Sequence, residues 1–236
     1  MKNTLTRIPL IDTLRGLAIV MMIIFHFYFN LSSFRITSPD FYKDEFWLAF
    51  RMIIMVIIVT LVGVSLALAK VRLTDQHFWR RNLKILICAL LVSAGTYLML
   101  PASFIYFGVL HFIFVASVIG SFFNRPALAW FNLALGALLI TAGACFKSEN
   151  FNNPGLNWIG FAATRPQAED YVPFVPWFGL VLIGLFISYQ VLPCLPARVL
   201  NFDNFILKWI GQKSLLIYMI HQPLLIAGFI IYIKTR

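Results

Sequence analysis

Charged residues are scarce in this sequence. They make up 12% of its 236 residues, whereas 61% of the residues are hydrophobic. Soluble domains carry about 25% charged and about 45–50% apolar residues. A soluble chain of this length has too little interior to hide so much apolar surface, so the composition excludes a soluble globular domain. It indicates an integral membrane protein.

Cysteine and acidic residues are also rare. The three cysteines, Cys88, Cys145 and Cys194, share no CxxC spacing, so neither a metal site nor a disulfide framework is predicted. Nine acidic residues face nineteen basic ones, for a net charge of +10. In a soluble protein this surplus would suggest nucleic acid. Here the basic residues gather in short loops, where topology and anionic lipid explain them, and no nucleic-acid partner is expected.

Long apolar runs dominate the rest of the chain. A membrane span needs about 20 mostly apolar residues. The sequence predicts an all-α polytopic helix bundle of about seven transmembrane helices that forms a single domain over residues 1–236. The predicted spans are 9–31, 47–69, 84–100, 104–123, 127–146, 174–192 and 206–233.

The connections between these runs also carry information. The first run is too long for the apolar region of a cleavable signal peptide, so we expect it to remain as a span. The third and fourth runs meet near Pro101, which predicts a tight hairpin. Residues 147–173 are polar and predict a loop, with a short interfacial helix around Trp158.

The loop charges predict the orientation. Loops on the N-terminal side hold eleven lysines and arginines and the opposite loops hold six. By the positive-inside rule the N-terminus is cytoplasmic, in a multi-pass protein of the cell inner (cytoplasmic) membrane. The eleven are Lys2, Arg7, Lys70, Arg72, Arg80, Arg81, Lys84, Arg125, Arg198, Lys208 and Lys213, and the six are Arg35, Lys43, Lys147, Arg165, Lys234 and Arg236.

The first span carries three ionisable residues. Asp12 and Arg15 are three positions apart, so their side chains can pair on one helix face near the cytoplasm. His26 follows Arg15 by eleven residues, close to three turns, so both project from one face about 16 Å apart along the axis. An alternative is that Asp12 and Arg15 form only an ion pair at the helix start.

Other spans place polar groups at related depths. His111 is predicted about 10 Å below the outer surface, near the level of His26 and Arg51, whereas His221 is nearer mid-depth. Ionisable residues inside a membrane are functional by default. Structural alternatives remain: Arg51 can extend its guanidinium to the interface, His111 can join helices by hydrogen bonds, and aromatic residues near span ends, such as Trp177, can form an interfacial belt.

Four stretches carry a family resemblance. In "IDTLRGLAIVMMIIFHF", an arginine and a histidine are separated by ten residues, and this stretch resembles the opening helix of transmembrane acyltransferases. "FIYFGVLHFI", "DYVPFVPWFGLVLIGL" and "GQKSLLIYMIHQP" resemble successive blocks of the heparan-alpha-glucosaminide N-acetyltransferase catalytic-domain family, which includes short bacterial members. The similarity runs from Arg7 to about Pro223, in the same order as in the family.

The resemblance implies an activity. It implies an acyl-CoA donor, acetyl-CoA, on the cytoplasmic side and a sugar or glycan acceptor on the far side of the bilayer. Arg15 matches the arginine near the CoA-facing end and His26 the motif histidine. The lysosomal member carries asparagine at the place of His26 and its catalytic histidine in the following loop, whereas residues 32–47 contain no histidine here. The catalytic role therefore falls to His26 or is absent.

These residues support a hypothesis of acyl transfer. Such a reaction needs a base for the acceptor's proton and donors for the developing oxyanion. We expect His26 as general base and His111 as its partner or an oxyanion donor. CoA-binding residues would be Arg15, Asp12, Arg80, Arg81 and Lys84; acceptor-side residues would be Arg51, Asp170, Tyr171, Trp177 and His221. A homodimer is compatible with so few spans.

Three alternatives stay open on the sequence alone. Histidines at several depths can form the proton relay of a transporter or proton-coupled exporter, although no internal repeat is evident. His26 and His111 on separate helices can ligate a b-type haem. A structural assembly subunit is the third alternative.

Overall fold

The computed structural model describes residues 7–34, 36, 41, 43–69, 73–166, 168 and 170–235. Lys2, Arg35, Lys70, Arg72 and Arg236, which were counted for the orientation, lie outside these residues. The described chain is helical apart from its loops. Its α-helices are α1 (Pro9–Ser33), α2 (Glu45–Leu68), α3 (Gln76–Met99), α4 (Val109–Phe123), α5 (Ala129–Cys145), α6 (Phe174–Phe186), α7 (Ala197–Leu200), α8 (Phe205–Gln212) and α9 (Ser214–Lys234).

The prediction of an all-α polytopic bundle is confirmed. Within the described residues, six helical segments are long and apolar enough to cross a membrane: α1, α2, α3, α5 with the 3-10 turn from Pro126 before it, α6 continued by a π-helix and a 3-10 turn to Cys194, and α9. α4 is a shorter apolar helix of 15 residues. It occupies the place of the fourth predicted span.

The third predicted span begins earlier than expected, at Gln76 instead of residue 84. Arg80, Arg81 and Lys84 therefore lie on a helix, not in a loop. The reason is a buried face formed by Phe78, Asn82, Ile85 and Ala89, which recur at helical spacing. Lysine and arginine are good helix formers, and Arg80 and Lys84 are exposed on this helix.

The tight hairpin predicted at Pro101 is a longer connection. Residues 100–108 separate α3 from α4. The loop is supported by the end of α3, because the hydroxyl oxygen of Thr96 accepts a hydrogen bond from the Ile105 amide at 3.1 Å. Apolar residues in this loop made it look like the start of a span.

The last predicted span, 206–233, is two helices. α8 ends at Gln212 and α9 begins at Ser214, with Lys213 (φ −103°, ψ 15°) between them. Asn204 caps α8 by accepting hydrogen bonds from the amides of Ile206 and Leu207, each at 3.1 Å. Residues 211–214 (Gly-Gln-Lys-Ser) interrupt the apolar pattern at this point, but a polar stretch of four residues between two apolar runs is a weak sign of a helix break.

Two compact units can be distinguished along the chain. The terminal unit comprises Thr6–Ile58 with Pro196–Arg236, and the central unit comprises Val59–Leu195. In the terminal unit, α1 packs on α8 and α9, and its apolar cluster is built around Ile19, Met22 and Phe25. The prediction of a single domain over 1–236 stays a prediction.

α6 is the most closely packed helix of the central unit. Gly179 faces the backbone of Gly136 on α5, and Gly184 faces the backbone of Thr60 and Gly63 on α2. A Cβ atom at either α6 glycine would overlap these backbone atoms. Small residues allow such close approach between membrane helices, where dispersion replaces the hydrophobic effect as the driving force.

Candidate functional site

The N-terminal part of α1 carries the predicted ion pair. Nη1 of Arg15 donates to Oδ1 of Asp12 at 2.9 Å. Nε2 of Gln212, at the end of α8, donates to Oδ2 of the same carboxylate at 3.4 Å. Asp12 is 8% exposed, so the carboxylate is buried and receives donors from two helices. The guanidinium of Arg15 is therefore oriented by a carboxylate that α8 also holds.

Two glycines make this arrangement possible. Gly16 lies against the backbone of Leu207, and Gly211 lies against the backbone of Asp12. A Cβ at either glycine would overlap a carbonyl oxygen of the other helix. The backbones of α1 and α8 therefore touch directly, which brings Gln212 within reach of Asp12.

Farther along α1, His26 contacts His221 of α9. Nδ1 of His26 is 2.9 Å from Nε2 of His221, and the rings stack with centroids 5.0 Å apart and planes 29° from parallel. The two imidazoles therefore lie at one level, although the sequence placed His221 nearer mid-depth. That depth was counted from residue 206, and the residues before Ser214 form α8 and a turn.

A second polar pair joins the same two helices. Nδ2 of Asn30 donates to Oε1 of Gln222 at 3.4 Å, and Nε2 of Gln222 donates to Oδ1 of Asn30 at 3.2 Å. Asn30 is 4% exposed. Neither residue is ionisable, so the sequence did not mark either as a candidate. The sequence did contain a signal for this contact, because each of the two apolar runs carries an amide side chain, Asn30 or Gln222.

His111 lies in the central unit, whereas His26 lies in the terminal unit. Nδ1 of His111 accepts a hydrogen bond from the Gly108 amide at 3.3 Å. An amide nitrogen can only donate, so the proton of the neutral ring is on Nε2, which is 3.3 Å from Oγ of Ser93. The Ser93 hydroxyl in turn donates to the Ile105 carbonyl at 2.5 Å. Nε2 thus joins α4 to Ser93 on α3, whereas Nδ1 accepts from the residue that precedes α4.

Asp170 and Tyr171 also make contacts inside the central unit. Oδ2 of Asp170 accepts from the amide of Val109 at 3.2 Å, in the first turn of α4. The Tyr171 hydroxyl donates to the carbonyl of Asn157 at 2.5 Å, and the Tyr106 hydroxyl donates to Oδ1 of Asn157 at 2.8 Å. Asn157 lies in a short 3-10 helix, Asn157–Ile159, where the sequence predicted an interfacial helix around Trp158.

Burial changes the acidity of these two phenols. Burial, with a smaller contribution from Tyr106, raises the pKa of Tyr171 to about 12. Burial also raises the pKa of Tyr106, although its hydrogen bond to Asn157 acts in the opposite direction. Both phenols are therefore neutral hydrogen-bond donors at physiological pH.

The remaining predicted residues lie on three helices. Arg51 is half-buried on α2, and Trp177 is half-buried in the first turns of α6. On α3, Arg80 and Lys84 are exposed and Arg81 is half-buried. Arg80 borders an open pocket of about 500 Å³ in the central unit. Its other lining residues are Leu73, Thr74, Gln76, Trp79 and Leu83. Among the described residues, no three His, Cys, Asp or Glu side chains cluster as metal ligands.

The apolar helices and a comparison with known protein families together define the class of this protein. It is a multi-pass membrane protein of a transmembrane acetyltransferase family. The chain belongs to the family "Heparan-alpha-glucosaminide N-acetyltransferase, catalytic", whose pattern it matches over residues 7–223. No curated protein and no solved structure gives a significant match.

Proposed function

We propose that the protein transfers an acetyl group from cytoplasmic acetyl-CoA to an amino sugar or other glycan acceptor on the extracytoplasmic side of the inner membrane, with His26 as general base. The observation that carries this proposal is the contact of His26 with a second histidine, His221, in a chain that belongs to a family of acetyltransferases. Family membership favours this reading over a transporter, a b-type haem protein or an assembly subunit.

The reaction balances with His26 as the only acid–base group. The acceptor's amine or hydroxyl forms a bond to the thioester carbonyl carbon while its proton passes to His26. The C–S bond then breaks, and the CoA thiolate leaves with that proton. Imidazole suits this task because one nitrogen of the neutral ring can accept a proton while the other donates a hydrogen bond. General-base catalysis of this kind contributes about 10²–10⁴-fold.

The donor side of the proposal rests on Arg15. Its guanidinium is fixed by Asp12, which Gln212 also holds. Arginine in a fixed orientation binds phosphate or carbonyl oxygens well. Arg15 and His26 are eleven residues apart, about 16 Å along the helix, which suits an extended pantetheine arm. The predictions that Arg80, Arg81 and Lys84 also bind CoA are kept as part of the proposal.

On the acceptor side, the proposal keeps Arg51 and Trp177 as candidates. Asp170 and Tyr171 already hydrogen-bond to Val109 and Asn157, so their first role is to order the loop that precedes α6. His111 likewise joins α3 to α4, and its assistance to His26 stays a prediction. A homodimer also stays a prediction.

The test compares two histidine variants in proteoliposomes supplied with labelled acetyl-CoA and an amino-sugar acceptor. We expect His26→Ala to lower turnover by about 10²–10⁴-fold, because the base is removed. His77→Ala is the matched control, since His77 is exposed near the start of α3 and should leave turnover unchanged. Equal turnover in His26→Ala and wild type would contradict the role of His26.

A further inference from the structure

We propose that His221 is a positioning residue. Together with the carbonyl of Tyr218 it holds His26 in the tautomer that carries its proton on Nδ1, so that Nε2 presents the lone pair that takes the acceptor's proton. The inference rests on the proposed function, because it assigns a role at the same site.

The constraint on the tautomer begins at the backbone of α9. Nδ1 of His221 is 2.6 Å from the carbonyl oxygen of Tyr218. A carbonyl oxygen can only accept, so Nδ1 of His221 carries a proton and donates it. Nε2 of a neutral His221 is then unprotonated and has a lone pair. The proton on Nδ1 of His221 is thus fixed by the Tyr218 carbonyl, which can accept a hydrogen bond but cannot donate one.

The next step transfers this constraint to α1. Nε2 of His221 is 2.9 Å from Nδ1 of His26. Since His221 offers only a lone pair there, Nδ1 of His26 must donate, and it therefore carries the proton of its ring. Which nitrogen of a histidine is protonated is set by the hydrogen bond that the other nitrogen or its partner makes. Nε2 of His26 is left as the basic atom.

Ring packing holds both imidazoles in these orientations. The ring of Phe25 meets His26 edge to face at a centroid distance of 5.7 Å, and that of Tyr218 lies 5.6 Å from His221. The pair formed by Asn30 and Gln222 joins the same helices beside the histidines. The geometry is therefore over-determined, as a preorganised base requires.

The arrangement also stabilises the protonated base. When Nε2 of His26 takes a proton, the ring becomes a cation and its Nδ1 hydrogen bond to His221 becomes charge-assisted. Such bonds are about twice as strong as neutral ones. His221 thus assists the step without exchanging its own protons. A neutral histidine does here what a carboxylate does in many hydrolytic sites, at a smaller desolvation cost.

The experiment combines tautomer spectroscopy with turnover. Protein labelled with 15N-histidine gives few signals, because the chain has four histidines, and His26→Ala and His77→Ala assign two of them. We expect His26 to be protonated at Nδ1 in the wild type. His221→Leu removes the acceptor, so it should give a mixed tautomer at His26 and lower kcat about 10–100-fold, the usual effect of losing a group that orients a histidine.

Two further variants separate positioning from simple helix docking. His221→Gln keeps an acceptor near the place of Nε2 and should restore the Nδ1–H signal and most of the kcat. His221→Asn is one methylene shorter, stays polar and should not restore them. Asn30→Leu is the matched control: it removes the other polar contact between α1 and α9 and should leave the tautomer of His26 unchanged.

The outcomes are distinguishable. A Nδ1–H signal and wild-type kcat in both His221→Leu and His221→Asn, with activity lost in His26→Ala, would overturn the positioning role alone. Loss of the Nδ1–H signal in Asn30→Leu as well would also overturn it, since docking would then be the cause. Wild-type kcat in His26→Ala would defeat the proposed function and this inference together.

Discussion

Adding one methyl group at Gly211 tests how α8 is held against α1. In Gly211→Ala, the new Cβ would overlap the carbonyl of Asp12 and lie about 3.0 Å from the Gly16 amide nitrogen. Both neighbours are backbone atoms, so no flexible side chain can move aside. α8 must shift away from α1, and the hydrogen bond from Gln212 to Asp12, already 3.4 Å long, would break.

The size of the effect follows from these two losses. Overpacking at a tightly packed position costs about 1–3 kcal/mol. A lost hydrogen bond costs about 1 kcal/mol more. The total of about 2–4 kcal/mol corresponds to a Tm lower by about 4–16 °C, since each kcal/mol shifts the Tm of a chain this size by about 2–4 °C.

Thermal unfolding of the purified protein in one detergent, followed by tryptophan fluorescence, measures the shift. Gly228→Ala is the matched control: Gly228 lies on α9 in the same unit, and its Cβ would meet nothing within 4 Å. Any gain in helix propensity from glycine to alanine is common to both variants. If Gly211→Ala melts within 1–2 °C of Gly228→Ala, on the order of the error expected from such scans, the direct backbone contact is refuted.

Three further predictions concern the central unit. Asp170→Ala removes the acceptor for the first turn of α4 and should lower the free energy of unfolding by about 0.5–2 kcal/mol. Asp170→Asn keeps an acceptor and should recover most of that stability. Equal Tm values for the two variants would contradict the capping role. Tyr189→Phe removes the 2.7 Å hydrogen bond to Oδ1 of Asn124 and should cost about 0.5–1.5 kcal/mol in chemical unfolding; no change would mean that the bond is absent. The pKa of Tyr171 is raised to about 12, so the folded state favours the neutral phenol. The contribution of this phenol to the stability of the fold is therefore complete below pH ~10 and is lost as the pH rises toward 12. Tyr171→Phe should therefore flatten the fall in Tm over that range, and an unchanged slope would refute the assignment.

The sequence predicted the spans well because a membrane span has a local signature. Length and hydropathy suffice to find α1, α2, α5 and α6, whose bounds differ from the predicted ones by a few residues. The interruption at Lys213 has a weaker signature, the stretch Gly-Gln-Lys-Ser at 211–214, since apolar residues lie on both sides of it. It depends on the packing of α8 against α1, which brings together residues about 200 positions apart.

The candidate site residues were chosen by their chemistry and remain a prediction, whereas their contacts were predicted only in part. Asp12 and Arg15 were paired correctly because they are three positions apart on one helix. His26 was matched by depth with His111, and its observed contact is His221. Position along a span predicts only the depth of a residue. Which residues it contacts also depends on the rotation and the neighbours of each helix, and tertiary packing decides both.

The contact between α1 and α9 has a consequence for the order of events during synthesis. Asp12 and Arg15 can pair as soon as the first helix forms, but His26 lies 195 residues before His221 and Asn30 lies 192 before Gln222. At a translation rate of about 5–20 residues per second, the first helix waits about 10–40 s for these partners. During that time the imidazole of His26 and the amide of Asn30 lack these partners. α9 therefore supplies the partners of the polar groups on α1, and a chain that stops before His221 would leave a polar stripe that invites aggregation or degradation.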